Sequence, residues 1–180
     1  PIWDAFAESK LPLCIHMGMS YPPFERLCLS IQDANMIGKA MPAQLAFVAL
    51  VGHGMLDRYP DLRIAFLEFG GEWIFYSVGR MNHYVEVNRR RMADPTMLPR
   101  NMIEEYVQSG RLFIGVEAND KMLVDELNLL GDGQILYSSD FPHGEGRDDA
   151  AIEIIQRNDI PDDQKRNILY DNAVGLYGEP

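Results

Sequence analysis

A chain of 180 residues, 47% hydrophobic and 24% charged, has the size and composition of one globular domain rather than of a disordered segment. Its 27 acidic against 16 basic side chains leave a formal charge of −11, which excludes bulk electrostatic binding to nucleic acid or an anionic membrane. No apolar run approaches the ~20 residues of a bilayer span, so small molecules or other proteins are left as partners.

The chain opens on Pro1-Ile2-Trp3 with what reads as the tail of a helix over 3–10, so a fragment of a longer protein is expected. Residues 11–16 form a short apolar strand ending at His16. Residues 17–40 read as a long irregular connection, broken at Pro22-Pro23, with a helical turn over 24–29. A helix over 42–58 starts at Pro42 and stops before Pro60. Strand 62–68 is halted by Gly70-Gly71, and helix 72–91 sets Ile74, Val78, Met81 and Val85 on one stripe. A helix over 99–108 leads to strand 111–117. Helix 121–130 follows, with Leu123, Leu127 and Leu130 in register, and 134–140 is the last strand. Helices over 148–157 and 161–177 finish the chain, the second with Leu169, Ala173 and Leu176 as its apolar stripe. Strands alternating with helices, without hairpin signals, predict an α/β fold with a parallel sheet, in a single domain over 1–180. Cys14 and Cys28, the two cysteines, read as reduced thiols of a cytoplasmic protein.

The strand ends carry the chemistry. His16, Glu68, Glu117 and Asp140 each close an otherwise apolar strand. Period-two alternation groups Ile64, Phe66 and Glu68, then Phe113, Gly115 and Glu117, then Leu136, Ser138 and Asp140. In α/β folds, ligands bind at the carboxyl ends of parallel strands. An imidazole and several carboxylates converging there suit a divalent cation. Each residue also has a plainer reading: a hydrogen-bonded imidazole for His16, a turn cap for Asp140, a solvated turn for Glu68, a helix start for Glu117.

These residues resemble a known family. The run Leu11-Pro12-Leu13-Cys14-Ile15-His16 is similar to strand five of the amidohydrolase-related proteins that include aminocarboxymuconate-semialdehyde decarboxylase. Arg58-Tyr59-Pro60-Asp61-Leu62-Arg63-Ile64 resembles the approach to strand six. Phe66-Leu67-Glu68-Phe69-Gly70-Gly71-Glu72-Trp73, followed by Arg80, resembles the branch with Glu at that strand's end. Ser138-Ser139-Asp140-Phe141-Pro142-His143 resembles the strand-eight Ser-Asp-Tyr-Pro-His motif, with Phe141 in place of Tyr. Residues 166–178, with Ile168, Asn172-Ala173 and Leu176-Tyr177-Gly178, are similar to the closing helix.

The resemblance implies a (β/α)8 TIM barrel of which strands five to eight are present, the N-terminal half lying elsewhere. It implies His16 and Asp140 as metal ligands, with Asp140 also accepting a proton from metal-bound water. Glu68 stands where decarboxylase members carry a His that handles protons, so it is expected as an acid or base. The family's first-strand His-x-His pair has no counterpart, and half a barrel leaves open strand edges and an uncovered inner apolar layer. His143, Arg80 and Trp73 are the candidate substrate-binding residues. Each also has a structural reading: surface loop for His143, ion pair for Arg80, core aromatic for Trp73.

The leading expectation is a metal-dependent hydrolase using metal-activated water on a small organic substrate. The alternative is a nonoxidative decarboxylase of an aromatic or unsaturated carboxylic acid. A third reading, of another class, is a noncatalytic half-barrel for ligand binding or assembly. A flavodoxin-like nucleotide binder is disfavoured, because no Gly-rich loop follows the first strand. Zinc is the expected cofactor, with manganese as the second choice. The isolated segment is expected to be inactive, and the full-length protein to be a homo-oligomer.

Overall fold

The computed structural model describes residues 2–17, 28–144 and 146–178, without the side chain of Lys39. Helix α1 (Ile2–Ser9) leads into strand β1 (Leu13–His16). Helix α2 (Ile31–Phe47) follows and passes into a π-helical turn (Val48–Gly52). Then come α3 (Met55–Arg58), β2 (Ile64–Leu67), α4 (Trp73–Arg89), a 3-10 turn (Pro95–Met97) and α5 (Ile103–Val107). Strand β3 (Leu112–Val116), α6 (Leu123–Leu130), β4 (Ile135–Tyr137), α7 (Ala150–Gln156) and α8 (Asp162–Arg166) continue the alternation. A second π-helical turn (Asn167–Asp171) joins α8 to α9 (Asn172–Tyr177).

Two expectations need correction in the first third of the chain. Residues 31–40 are not irregular, and Pro42 does not start a helix. Ser30 caps α2 instead. Its hydroxyl accepts from the Asp33 amide at 3.2 Å, while the Asp33 carboxylate accepts from the Ser30 amide at 3.1 Å. Pro42 sits inside the helix, where it removes one backbone hydrogen bond. The buried face of Ala43, Phe47, Leu50 and Val51 holds the helix together across that gap. The segment 18–27, with Pro22-Pro23 and most of the turn expected over 24–29, lies outside the described residues. The continuous helix Ile31–Gly52 is also, by length and composition, long and apolar enough to cross a membrane, contrary to expectation. Its Phe47 nevertheless packs edge-on against Phe66 of β2 and Trp73 of α4.

The four strands are all parallel and lie in chain order, β1-β2-β3-β4. Doubly wound sheets reverse order at a switch point; an unreversed order with right-handed crossovers puts every connecting helix on one face, as in a barrel wall. That order removes the flavodoxin-like alternative. Ile64, Phe66, Leu112, Ile114, Val116 and Ile135 join the large core on the helix side. Ala65, Phe113 and Leu136 point to the opposite, inner face.

That inner layer is not left bare. Leu176 of α9 is fully buried against Ala65, Phe113 and Leu136, with Ala173 beside it. Arg63, just before β2, donates to the Gly175 and Leu176 carbonyls at 3.1 and 2.6 Å, fixing the helix across the amino-terminal ends of the strands. The buried stripe here is Ile168, Asn172 and Leu176, and Leu169 and Ala173 are only half-buried. Buried Asn172 donates to the Asp132 and Ile135 carbonyls, both at 2.8 Å, so a polar residue fills an apolar-stripe position because two strand-end acceptors await it.

One charged side chain is wholly inside. Glu126 of α6 has no exposed surface. Burial first, then the neighbouring Asp120 and Glu72 carboxylates, push its carboxyl up to about 8, opposed by the Arg157 guanidinium. The fold therefore holds this proton after the unfolded chain has lost it. The stability tied to the neutral form is complete below the ordinary glutamate range and is lost as pH rises to about 8. Denaturant melts across that window, in chelator, are expected to show stability falling with pH, and Glu126→Gln to flatten the slope.

Candidate metal centre

The register fixes where the polar residues arrive. His16 pairs with Leu67, and Val116 with Tyr137, so the carboxyl ends of the four strands finish side by side. Met17, Glu68, Gly115, Glu117, Ser138 and Asp140 line a shallow cleft there. All four strand-end residues predicted from the sequence thus lie at this end of the sheet, although two of them arrive by a route other than alternation.

Ile64 and Phe66 face the helices, so Glu68 would follow them outward if the strand continued. It does not. Strand β2 ends at Leu67, and Glu68 adopts a left-handed backbone with φ 64°. Strand β4 likewise ends at Tyr137, three residues before Asp140, which is also left-handed at φ 51°. A side chain in that region costs about 1–2 kcal/mol, and such strain gathers at functional sites. Trp73 helps hold the Glu68 turn: its indole N–H donates to the Gly70 carbonyl at 3.0 Å, and its ring packs 5.1 Å from Phe66.

Glu68, Asp140 and His143 each present a ligand atom within 4.8 Å of the others. His143 Nδ1 lies 2.6 Å from Asp140 Oδ1, and its amide donates to the Asp140 carbonyl at 2.9 Å. His16 joins through Glu68, its Nε2 lying 3.2 Å from Oε1. His16 Nδ1 lies 2.8 Å from the Met17 carbonyl, which can only accept, so Nδ1 carries a proton and it is Nε2 that faces the Glu68 carboxylate. The donors fit a divalent ion: the Glu68 and Asp140 carboxylates, both largely shielded, meet the His143 imidazole, while His16 lies outside that group and reaches it only through Glu68. His143, expected at the substrate, meets the Glu68 and Asp140 carboxylates instead. Glu117, read from the sequence chiefly as a helix start, lines the cleft.

Two expected substrate residues do not reach it. Arg80 stands on the outer face of α4, its guanidinium 5.0 Å over the Tyr84 ring and bonded to that hydroxyl at 3.0 Å. It lines an apolar groove between α4 and α2, with Leu45, Val48 and Met81. Seven residues make nearly two full turns, so Arg80 stays close to the Trp73 side of α4 but about 10 Å further along it, where it is exposed. Trp73 itself is 5% exposed and belongs to the core.

The comparisons with known proteins agree with this fold. Residues 1–178 match the family described as Amidohydrolase. The chain belongs to that family. Gamma-resorcylate decarboxylase from Polaromonas sp. is 26% identical across 98% of this chain and 53% of its own length. The 2-amino-3-carboxymuconate-6-semialdehyde decarboxylase of Dictyostelium discoideum is 29% identical across 77% of this chain and 38% of its own. The chain thus spans about half, or less, of the curated relatives it matches. Among solved structures, 5-carboxyvanillate decarboxylase of Novosphingobium aromaticivorans, complexed with manganese and 4-hydroxy-3-methoxy-5-nitrobenzoic acid, superposes with a TM-score of 0.79. It is 21% identical, over 98% of this chain and 50% of that one. The α/β architecture is that of the amidohydrolase barrel.

If the left-handed backbone at residue 68 is strained, a glycine there is relaxed. Glu68→Gly is expected to raise stability by about 0.5–1 kcal/mol, read in denaturant melts, while weakening divalent-ion binding at the cleft. A melt below that of the unmodified protein would show that the Glu68 carboxylate, and not the backbone, governs stability here.

Proposed function

We propose that this chain is the carboxyl-terminal half of a nonoxidative, metal-dependent decarboxylase acting on hydroxylated aromatic or unsaturated carboxylic acids. The observation that carries the reading is the meeting of Glu68, Asp140 and His143 within 4.8 Å at the strand ends. The decarboxylase names of both curated relatives support carboxylate loss over hydrolysis, which was the leading expectation from sequence.

Asp140 and Glu68, with His16 beside Glu68, would hold the ion, and His143 would exchange protons with Asp140. Oxygen-rich donors with imidazole suit manganese as well as zinc, and manganese is the ion in the related carboxyvanillate decarboxylase, so it replaces zinc as first choice. When bound, the ion would supply positive charge that fixes the substrate carboxylate and an adjacent oxygen.

The protein's own groups move the proton. Asp140 Oδ1, 2.6 Å from His143 Nδ1, is placed to hand a proton to the carbon bearing the carboxylate. That carbon gains hydrogen, its bond to the carboxylate carbon breaks, and carbon dioxide departs, leaving the bonding pair on the substrate. His143 is exposed and can refill Asp140 from solvent. Glu68, in contact with His16, keeps that imidazole turned toward the cleft.

The test uses the full-length protein with a panel of hydroxybenzoates. Carbon dioxide release is expected, abolished by chelation and restored by manganese, with no amine or alcohol product. Asp140→Asn is expected to lower kcat by about 10²–10⁴-fold, the usual range for removing a positioned proton donor. Release of an amine or alcohol would make the protein a hydrolase. No bound metal and no product of either kind would make it a noncatalytic module.

A further inference from the structure

Behind the cleft-lining residues Gly70 and Glu117, a second set of carboxylates meets. Glu72 begins the turn into α4, Asp120 lies between β3 and α6, and Glu126 is in α6. One oxygen from each lies within 4.8 Å of the other two. An acidic cluster alone is unremarkable, but this one contains a side chain that the rest of the fold leaves unsatisfied. Glu126 has no exposed surface, and neither of its carboxylate oxygens has a hydrogen-bond donor. The carboxylate presses on Gly71 so closely that a Cβ there would overlap both oxygens. A side chain at residue 71 would fill the space this carboxylate occupies.

The nearest available cation is committed elsewhere. Arg157 Nε and one terminal nitrogen bond Asp159 at 3.0 and 2.7 Å. Its other terminal nitrogen bonds the Ala118 and Asp120 carbonyls at 3.5 and 2.5 Å. Asp120 Oδ1 accepts from the Met122 amide at 2.8 Å, which orients that carboxylate and leaves its second oxygen over. A buried carboxylate left without donor or counter-charge is strongly unfavourable.

We propose that Glu72, Asp120 and Glu126 form a second cation site, for a hard divalent ion of the calcium type, which ties the turn after β2 to the β3–α6 connection. The donors are all oxygen, with no imidazole or thiol, which favours calcium or magnesium over zinc. Oxygens that each lie about 2.3–2.6 Å from one calcium ion are at most about 5 Å apart, and the cluster meets that limit. Glu72 is exposed and gives the ion a way in. A proton shared between Glu126 and Asp120 is the competing way to relieve the cluster, and it would satisfy only one Glu126 oxygen.

The test strips the full-length protein with chelator, then adds calcium while following thermal unfolding and terbium luminescence. Trp73, next to Glu72 in sequence, serves as the terbium antenna. Calcium is expected to raise Tm in a saturable way and to displace terbium, and Asp140→Asn at the other centre is expected to keep both responses. Glu126→Gln should lose both and melt above the unmodified protein in chelator. Glu72→Gln, at an exposed position with little risk to folding, should weaken terbium and calcium at least tenfold. Three results would overturn the proposal: equal responses in Glu126→Gln and the unmodified protein, unchanged affinity in Glu72→Gln, or no response to calcium at all. The last would identify the shared proton as what occupies the cluster.

Discussion

Parallel pairing in strict chain order is the constraint on which the rest of this protein depends. Because β1 to β4 run the same way and lie beside their sequence neighbours, their carboxyl ends finish together at one rim. A hairpin or a reversed strand would scatter His16, Glu68 and Asp140 to opposite edges. The hydrogen-bonded ladder thus does what no single polar contact could: it gathers residues more than a hundred positions apart around one cleft.

Pairing alone does not finish the job, since alternation would send Glu68 into the helix layer. The left-handed backbone at Glu68 and at Asp140 supplies the last turn inward. Behind Glu68, the aromatic group of Phe47, Phe66 and Trp73 braces the bend through the Trp73–Gly70 hydrogen bond. The core and the site are mechanically one object here. A cavity made at Phe47 would be felt at a carboxylate it never touches.

The sequence made the strand–helix alternation readable, because strongly apolar runs such as 111–117 and periodic helices such as 121–130 carry their own signal. It also placed His16, Glu68, Glu117 and Asp140 at the correct end of the sheet. What it hid was conformational. Nothing local in Ser138-Ser139-Asp140 says that the strand stops at Tyr137, nor that Glu68 changes its backbone basin. Arg80 follows the structural reading the sequence already gave it, with its guanidinium over the Tyr84 ring rather than at the strand ends, because spacing sets the side of a helix but not how far along it the cleft lies. The helix start at Ile31 was legible in principle, in the Ser30–Asp33 capping pair, but Pro42 is the louder signal. Docking of α9 on the inner face rests on Leu176 meeting Ala65 and Phe113 across long stretches of chain, and no window of sequence contains that.

The position of α9 has a consequence for traffic. Leu176 and Ala173 cover the inner face beneath the cleft and Arg63 pins the helix to the far rim, so among the described residues this wall is closed from below. Were the proposed carbon dioxide release to take place at this rim, both products would have to leave by the side through which the acid came in, and the bulkier one would set the pace.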